Sequence, residues 1–157
     1  MSSIPKGSLK NPIHFLALGF GSGMAPKAPG TFGTLAAVPI VVGLSYCSSM
    51  TYLVALLAVT LSGFWICGKA AKDWGVHDHS AIVWDEIAGF MLTMLWAPVS
   101  WTSLIIGFAL FRFFDIAKPY PISWLDKNVG GGAGIMVDDL LAGVFAAVLL
   151  QLCLAIL

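Results

Sequence analysis

Charged side chains are scarce in this chain of 157 residues: they make up 10% of it, whereas hydrophobic residues make up 59%. Soluble domains contain about 25% charged residues, and a domain of this length could not bury so much apolar surface without exposing a large patch. The eight basic and eight acidic residues cancel to zero net charge. The composition gives no support for a nucleic-acid partner and predicts one membrane-embedded domain, residues 1–157.

Metal-like cysteine spacing is also lacking. Cys47, Cys67 and Cys153 stand in separate apolar runs and are interpreted as small hydrophobic residues in a reducing compartment. A signal peptide is not indicated, because the apolar stretch at residues 13–20 is short and runs into glycines. We therefore expect the N-terminal segment to be retained, with an interfacial or re-entrant helix at residues 13–23.

Three long runs of the chain contain no charged residue: residues 28–68, 87–111 and 140–157. A helix that crosses a membrane needs about 20 apolar residues. The first run therefore predicts a hairpin of two spans, residues 34–48 and 51–68. The second run predicts two further spans within residues 82–117, which turn at residues 98–101, and the last run predicts a fifth. We expect an all-α, multi-helix polytopic membrane bundle.

The basic residues indicate how this bundle is oriented. All eight fall on the same side of the five predicted spans: Lys6, Lys10, Lys27, Lys69, Lys72, Arg112, Lys118 and Lys127. The positive-inside rule makes that side cytoplasmic, with the N-terminus inside and the C-terminus outside. Trp96 and Trp101 suit an aromatic belt at the opposite interface.

Asp85 and Glu86 are the acids least suited to their surroundings. They stand about one turn inside the apolar sequence of the predicted third span, where a carboxylate costs about 2.5 to 3.5 kcal/mol at full depth and less near the interface. The side chains of Asp85 and Glu86 could both extend to water at the interface. Short acidic side chains do this poorly, however, and adjacent helical positions point in different directions. A cation held between helices would stabilise both carboxylates.

The same arrangement recurs further along the chain. Asp138 and Asp139 follow a glycine-rich stretch at the mouth of the fifth span, where one aspartate could simply cap a helix N-terminus. Asp115 ends the fourth span, where the helix dipole disfavours an acid. Arg112 and Lys118, three residues away on either side, could pair with it or could form an anion site beside a metal.

Mg²⁺ binds carboxylate oxygens and usually completes its coordination with substrate phosphate. Three predicted helix ends supply five carboxylates for one or two such ions: Asp85, Glu86, Asp115, Asp138 and Asp139. His77 and His79 are two residues apart without a third soft ligand nearby, so a zinc site is only weakly supported. A polar loop, or a histidine that donates a proton, is the alternative.

A glycine-rich stretch at residues 19–34 precedes the first predicted span. It contains Gly21, Gly23, Lys27 and Thr31, and successive free N–H groups in such a loop can bind an anion. Its spacing matches neither a P-loop nor a dinucleotide-binding fingerprint. The stretch could also be no more than a turn before a helix.

Three segments together resemble the bacterial phosphatidylglycerophosphatase A family: GFGSGMAPKAPGTFGTLAAVP (residues 19–39), KDWGVHDHSAIVWDEIAGF (residues 72–90) and FRFFDIAKPYPISWLDKNVGGGAGIMVDDLLAG (residues 111–143). The resemblance implies an all-α bundle that removes the terminal phosphate of phosphatidylglycerophosphate. It also implies a phospholipid substrate, a requirement for Mg²⁺ and a location at the cytoplasmic face of the bacterial inner membrane.

Elimination supports the same chemistry. No arginine follows Cys67 at the spacing of thiol phosphatases, and the chain lacks an Asp-x-Asp nucleophile signature and the boxes of vanadate-type lipid phosphatases. Metal-assisted hydrolysis remains. The predicted metal ligands are Asp85, Glu86, Asp138 and Asp139. The predicted catalytic residues are Asp85, Glu86 and Asp115, the last as a further ligand or general base. The predicted phosphate-binding residues are Lys27, Arg112, Lys118, Gly21, Gly23 and Thr31.

The alternative function is a small cation- or proton-coupled membrane transporter, because acids inside a membrane also mark ion pathways. Transporters place their binding sites near the middle of the bilayer, whereas the acids of this chain fall at one predicted face. The position of the acids therefore favours the enzyme.

Overall fold

The computed structural model describes residues 4, 7–76 and 79–156. Within them the chain forms seven α-helices, two short 3₁₀ turns (Ser8–Lys10 and Ser22–Met24) and no strand. The helices are α1 (Pro12–Ala17), α2 (Pro29–Ser45), α3 (Ser49–Trp74), α4 (Trp84–Thr93), α5 (Trp101–Ala117), α6 (Ile122–Asn128) and α7 (Gly131–Ile156). The predicted all-α class is confirmed for the described part of the chain.

Two of these helices, α3 and α7, are long and apolar enough to cross a membrane. Each has 26 residues, which corresponds to about 39 Å of helix. The 17 residues of α2 and of α5 correspond to about 26 Å, and the 10 residues of α4 to only about 15 Å. The prediction of five full spans is therefore not confirmed, because α4 already ends at Thr93.

Helix boundaries follow local signals that the charge-free runs did not show. Pro29 begins α2 five residues before the predicted start, in the position where proline's missing N–H costs nothing. Gly75, with φ of 67°, ends α3. Ser100 and Ser103 form a capping box at the start of α5. The range of α5 agrees with that of the predicted fourth span, which runs from the turn at residues 98–101 to residue 117.

The glycine-rich stretch before Asp138 is the beginning of α7 and not a loop. A Cβ at Gly132 would collide with the carbonyl oxygen of Phe64, and a Cβ at Gly143 would meet the carbonyl oxygen of Gly89. The glycines therefore allow α7 to approach the backbones of α3 and α4 directly, as small residues do between membrane helices. Because α7 starts at Gly131, Asp138 lies two turns inside it, and the capping alternative for this acid is wrong.

The short helix α4 lies at the centre of the bundle, and every residue in it except Leu92 is buried. It packs against α2, α3, α5 and α7. Trp84 donates a hydrogen bond from Nε1 to the carbonyl oxygen of Val59 (3.0 Å), and the hydroxyl of Tyr52 donates one to the carbonyl oxygen of Met91 (2.7 Å). These two bonds attach both ends of α4 to α3.

The outer helices turn large apolar side chains outward. On α3 an exposed stripe runs through Val54, Leu57, Leu61 and Trp65, at spacings that place the four on one face. Contiguous exposed apolar surface of this extent is typical of contact with lipid. This stripe agrees with the membrane location predicted from composition.

One end of the bundle is apolar and aromatic. The α2–α3 turn and the α4–α5 turn meet there around a cavity of about 400 Å³, lined by residues that include Ser45, Tyr52 and Trp96. Trp96 and Trp101 are strongly exposed at this end, as expected for interfacial aromatic residues. The acids Asp85 and Glu86 lie at the other end of α4.

Candidate active site

The first turn of α4, the last turn of α5 and the second and third turns of α7 meet around a cavity of about 260 Å³. All five candidate carboxylates line it: Asp85, Glu86, Asp115, Asp138 and Asp139. Two of the predicted phosphate-binding cations, Arg112 and Lys118, line it as well. The structure thus brings together the charged groups that the sequence singles out, with the exception of Lys27.

Three of the acids form a compact cluster. Asp85, Glu86 and Asp139 each offer an oxygen atom, and these atoms lie within 4.8 Å of one another. The three residues are 8%, 9% and 3% exposed. Oε2 of Glu86 and Oδ2 of Asp139 accept no hydrogen bond from any described residue. Buried carboxylates without compensation are strongly unfavourable, so this donor set fits a hard divalent cation.

The position of this cluster follows from the packing of α4. Asp85 and Glu86 lie in its first turn, where the helix dipole favours negative charge. A Cβ at Gly30, in the first turn of α2, would collide with Oε1 of Glu86 and lie 3.0 Å from Nη1 of Arg112. A side chain at residue 30 would therefore displace the carboxylate of Glu86. Gly30 belongs to the glycine-rich stretch but is not among the predicted site residues.

Arg112 is engaged with two acids of the cavity. Its Nη1 donates a hydrogen bond to Oδ2 of Asp115 and lies 3.8 Å from Oε1 of Glu86. Its Nε has no acceptor among the described residues. The carboxyl of Asp115 also lies within hydrogen-bonding reach of Asp139. Arg112 thus balances part of the negative charge and keeps a donor available for another anion.

Lys118 connects the cavity to α6. Its Nζ donates hydrogen bonds of 2.6 Å to Oδ2 of Asp138 and 2.6 Å to Oδ1 of Asp126. Burial alone would lower the pKa of Lys118, but the two carboxylates raise it above its usual value, so the ammonium stays protonated. Asp138 therefore faces Lys118 and lies outside the compact trio. Asp126 is not among the predicted site residues. The sequence indicates an ion pair for it only through its position between Lys118 and Lys127.

The remaining predicted phosphate-binding residues do not line the cavity. Lys27 is exposed, and the loop reaches the cavity through Ala28, Pro29 and Gly30. Gly23 packs so closely on Ala81 that a Cβ would collide with its carbonyl oxygen. Gly21 has φ of 93° and Thr31 lies in α2. The glycine-rich stretch thus supports the segment that leads into α4.

Of the two histidines of the possible zinc site, His77 lies outside the described residues. His79 accepts a hydrogen bond at Nδ1 from the backbone N–H of Ala81 (3.1 Å), and its ring packs edge-on against Trp74 with centroids 5.4 Å apart. This position stabilises the chain between α3 and α4. Among the described residues, the group that could hold a metal ion consists of Asp85, Glu86 and Asp139 and does not include His79.

A second polar cluster lies where α1 meets α3. Nε2 of His14 is 3.0 Å from Oδ2 of Asp73, and the other carboxylate oxygen of Asp73 accepts a hydrogen bond from Lys69. None of the three residues lines the cavity of the acids. This cluster fastens the N-terminal helix to the bundle.

The profile of the family described as phosphatidylglycerophosphatase A matches residues 15–154. The chain is 47% identical over 148 residues to phosphatidylglycerophosphatase A of Escherichia coli strain K12, covering 92% of this chain and 86% of the relative. It is 46% identical over 147 residues to the protein of that name from Haemophilus influenzae strain Rd, covering 92% and 90%.

A third relative, from Bacteroides thetaiotaomicron, is named as a proposed phosphatidylinositol-3-phosphatase. It is 40% identical over 143 residues, which cover 86% of this chain and 89% of the relative. No solved structure matches the chain significantly.

An apolar helical bundle with a buried acidic cluster beside two cations, together with these relatives, defines a membrane-associated phosphatase. The chain belongs to the phosphatidylglycerophosphatase A family. The resemblance found in the sequence is therefore confirmed.

Proposed function

We propose that this protein hydrolyses the terminal phosphate monoester of phosphatidylglycerophosphate to give phosphatidylglycerol, with Mg²⁺, at the cytoplasmic face of the bacterial inner membrane. The observation that supports this most strongly is the convergence of Asp85, Glu86 and Asp139 in one buried cluster. The names of the Escherichia coli and Haemophilus influenzae relatives support the choice of substrate. The transporter is disfavoured, because the acids lie at one end of α4 and not along a path through the bundle.

We assign the metal to Asp85, Glu86 and Asp139, whose oxygens are close enough to share one ion. When bound, Mg²⁺ polarises the phosphoryl oxygens and lowers the pKa of a coordinated water. Asp138, a ligand in the prediction from sequence, lies outside this trio and accepts a 2.6 Å hydrogen bond from Lys118. We therefore assign Asp138 to substrate binding through Lys118.

Lys118 and Arg112 bind the phosphate in this proposal. Lys118 is a protonated donor at the cavity, and Arg112 has an Nε without an acceptor among the described residues. Both would neutralise charge that develops on the phosphoryl oxygens during the reaction. Lys27 and the loop glycines would act from outside the cavity, where Lys27 is exposed next to Ala28.

Asp115 is the proposed general base. It lines the cavity, and its contact with Arg112 holds its carboxylate beside Asp139. In the reaction, Asp115 takes a proton from the attacking water as the water oxygen bonds to phosphorus. The bond from phosphorus to the glycerol oxygen breaks, and that oxygen takes up the proton that Asp115 removed from the water, which leaves inorganic phosphate, the lipid alcohol and the regenerated carboxylate of Asp115.

The proposed topology keeps five membrane-embedded segments: α2, α3, α4, α5 and α7. The acidic end faces the cytoplasm, and the end with Trp96 and Trp101 faces the opposite side. The short α4 would occupy only part of the bilayer depth. Its neighbours enclose it, so the ends of its backbone would be buried in protein and not exposed to lipid.

Purified protein tests the substrate assignment directly. Phosphate release would be compared for phosphatidylglycerophosphate, phosphatidic acid, phosphatidylinositol 3-phosphate and glycerol 3-phosphate in the same detergent with Mg²⁺. The proposal expects the highest kcat/KM for phosphatidylglycerophosphate. A higher kcat/KM for phosphatidylinositol 3-phosphate would indicate the activity named for the third relative. That result would overturn the assignment.

A further inference from the structure

An exposed apolar stripe runs along α5 towards the charged cavity. Ile105, Ala109, Phe113 and Ile116 are all exposed, at spacings of four, four and three residues, and such spacings place them on one face of the helix. Ile105, Phe113 and Ile116 are 65%, 61% and 70% exposed. In a membrane-embedded helix, a stripe of this kind contacts lipid.

Ile116 belongs both to this stripe and to the cavity. It lines the cavity together with its sequence neighbours Asp115 and Lys118. Of the cavity-lining residues that the structure describes, Ile116 is the only large apolar one that is exposed, since Ile82 is buried. The exposed stripe of α3, which includes Leu61, contributes no described residue to the cavity lining. Apolar surface thus continues into the charged site along α5.

We propose that an acyl chain of the lipid substrate lies along this stripe, named here the α5 track (Ile105, Ala109, Phe113 and Ile116). Ile116 is then the positioning residue that contacts the lipid at the junction between its acyl chain and its phosphate-bearing head group. This inference rests on the proposed function, because it requires that the substrate is a membrane lipid. It adds a binding surface for the apolar half of that substrate.

The length of the α5 track matches the depth of one membrane leaflet, which an acyl chain spans. The rise from Ile105 to Ile116 is about 16 Å at 1.5 Å per residue, and one leaflet contributes about half of a 30 Å hydrocarbon core. A lipid whose phosphate enters the cavity would therefore extend its chain alongside α5 to roughly the middle of the membrane. Binding along the track would hold the phosphate at the acids, because energy from remote parts of a substrate can position its reacting group.

Ile116→Ser tests this track, with Leu61→Ser as the matched control, since Leu61 is 67% exposed on α3. The kinetics would compare a dioleoyl and a dihexanoyl phosphatidylglycerophosphate in the same detergent. Ile116→Ser should lower the ratio of long-chain to short-chain kcat/KM by about fivefold, mainly through KM for the long-chain lipid. Leu61→Ser should leave that ratio at the wild-type value.

A binding measurement complements the kinetics. Dioleoyl phosphatidylglycerophosphate with a diazirine on one acyl chain would be photolysed with the wild-type protein in phospholipid vesicles. The labelled peptides would then be identified by mass spectrometry. The track predicts that α5 is labelled more heavily than α3 or α7. Preferential labelling of α3 or α7, or an unchanged chain-length ratio in Ile116→Ser, would overturn the track.

These results separate the two proposals. If the wild-type protein released no phosphate from either lipid, the proposed function would fail, whereas labelling would still decide whether α5 binds the chain. If the wild-type protein were active and Ile116→Ser kept the wild-type ratio, only the track would fail.

Discussion

Gly30 lies against the carboxylate of Glu86 with no space for a side chain between them. A Cβ at this position would collide with Oε1 of Glu86 and crowd Arg112. The close approach of α2 to α4 therefore closes one wall of the acidic cavity. Because the backbone of α2 itself forms that wall, a side chain at residue 30 would have to move the carboxylate of Glu86.

Gly30→Ala should lower kcat/KM by about tenfold or more, because a displaced carboxylate no longer holds the productive geometry. Overpacking should also lower stability by about 1–3 kcal/mol. Steady-state phosphate release and thermal unfolding would measure the two effects. Gly43→Ala is the control in the same helix, since a Cβ there meets nothing within 4 Å. Equal activity in the two variants would show that Gly30 is not required.

Asp138 and Asp139 are adjacent in the sequence but differ in their contacts, and this difference predicts different defects. Asp139→Asn should lower kcat by more than about 100-fold and raise the Mg²⁺ concentration for half-maximal activity, since even outer-shell changes cost about 10–100-fold. Asp138→Asn should mainly raise KM for the lipid, because it releases Lys118. Kinetics over a range of Mg²⁺ concentrations would separate them. A raised Mg²⁺ requirement in Asp138→Asn would restore Asp138 as a ligand.

The acids could be identified from the sequence because charge is so rare in it. In an apolar chain each carboxylate needs a physical reason, and all five candidates indeed line one cavity. Their division of roles could not be derived that way. Whether Asp138 meets a metal or Lys118 depends on where the last turn of α5 places Lys118, and sequence spacing alone does not determine that.

Helix lengths were harder to predict for a similar reason. A helix that is apolar on all sides, such as α7, gives no periodic signal that marks its ends. Its start at Gly131 brings Gly132 against the backbone of Phe64 in α3, a contact between distant parts of the sequence. The enclosure of α4 by four neighbouring helices is likewise a feature of the packing. The roles of Gly30 and Asp126 likewise exist only in the folded packing.

Lys118 should act mainly in substrate binding. Lys118→Met should raise KM about tenfold, because it removes a charge-assisted hydrogen bond to the phosphate, and Lys118→Arg should restore part of the loss. Asp126→Asn is the control, since the Asp126 side chain is 38% exposed and exposed ion pairs contribute little. A loss of kcat without change in KM for Lys118→Met would contradict this role.

The orientation of the bundle can be tested with fused reporters. Fusions near Ser49, near Val99 and at the C-terminus should report positions outside the cytoplasm, whereas fusions near Val76 and Asn128 should report the cytoplasm. All eight basic residues would then face inward, as the positive-inside rule requires. A reporter at Val76 or Asn128 on the outer side would separate the acids from a substrate in the cytoplasmic leaflet.

The central claim is that the buried trio of Asp85, Glu86 and Asp139 holds a Mg²⁺ ion for phosphate hydrolysis. The most direct measurement is phosphate release from phosphatidylglycerophosphate by purified protein after exhaustive chelation, followed by titration with Mg²⁺ or Zn²⁺. The account predicts that chelation abolishes release, that Mg²⁺ restores it and that Zn²⁺ does not. Full release from the chelated protein would contradict it.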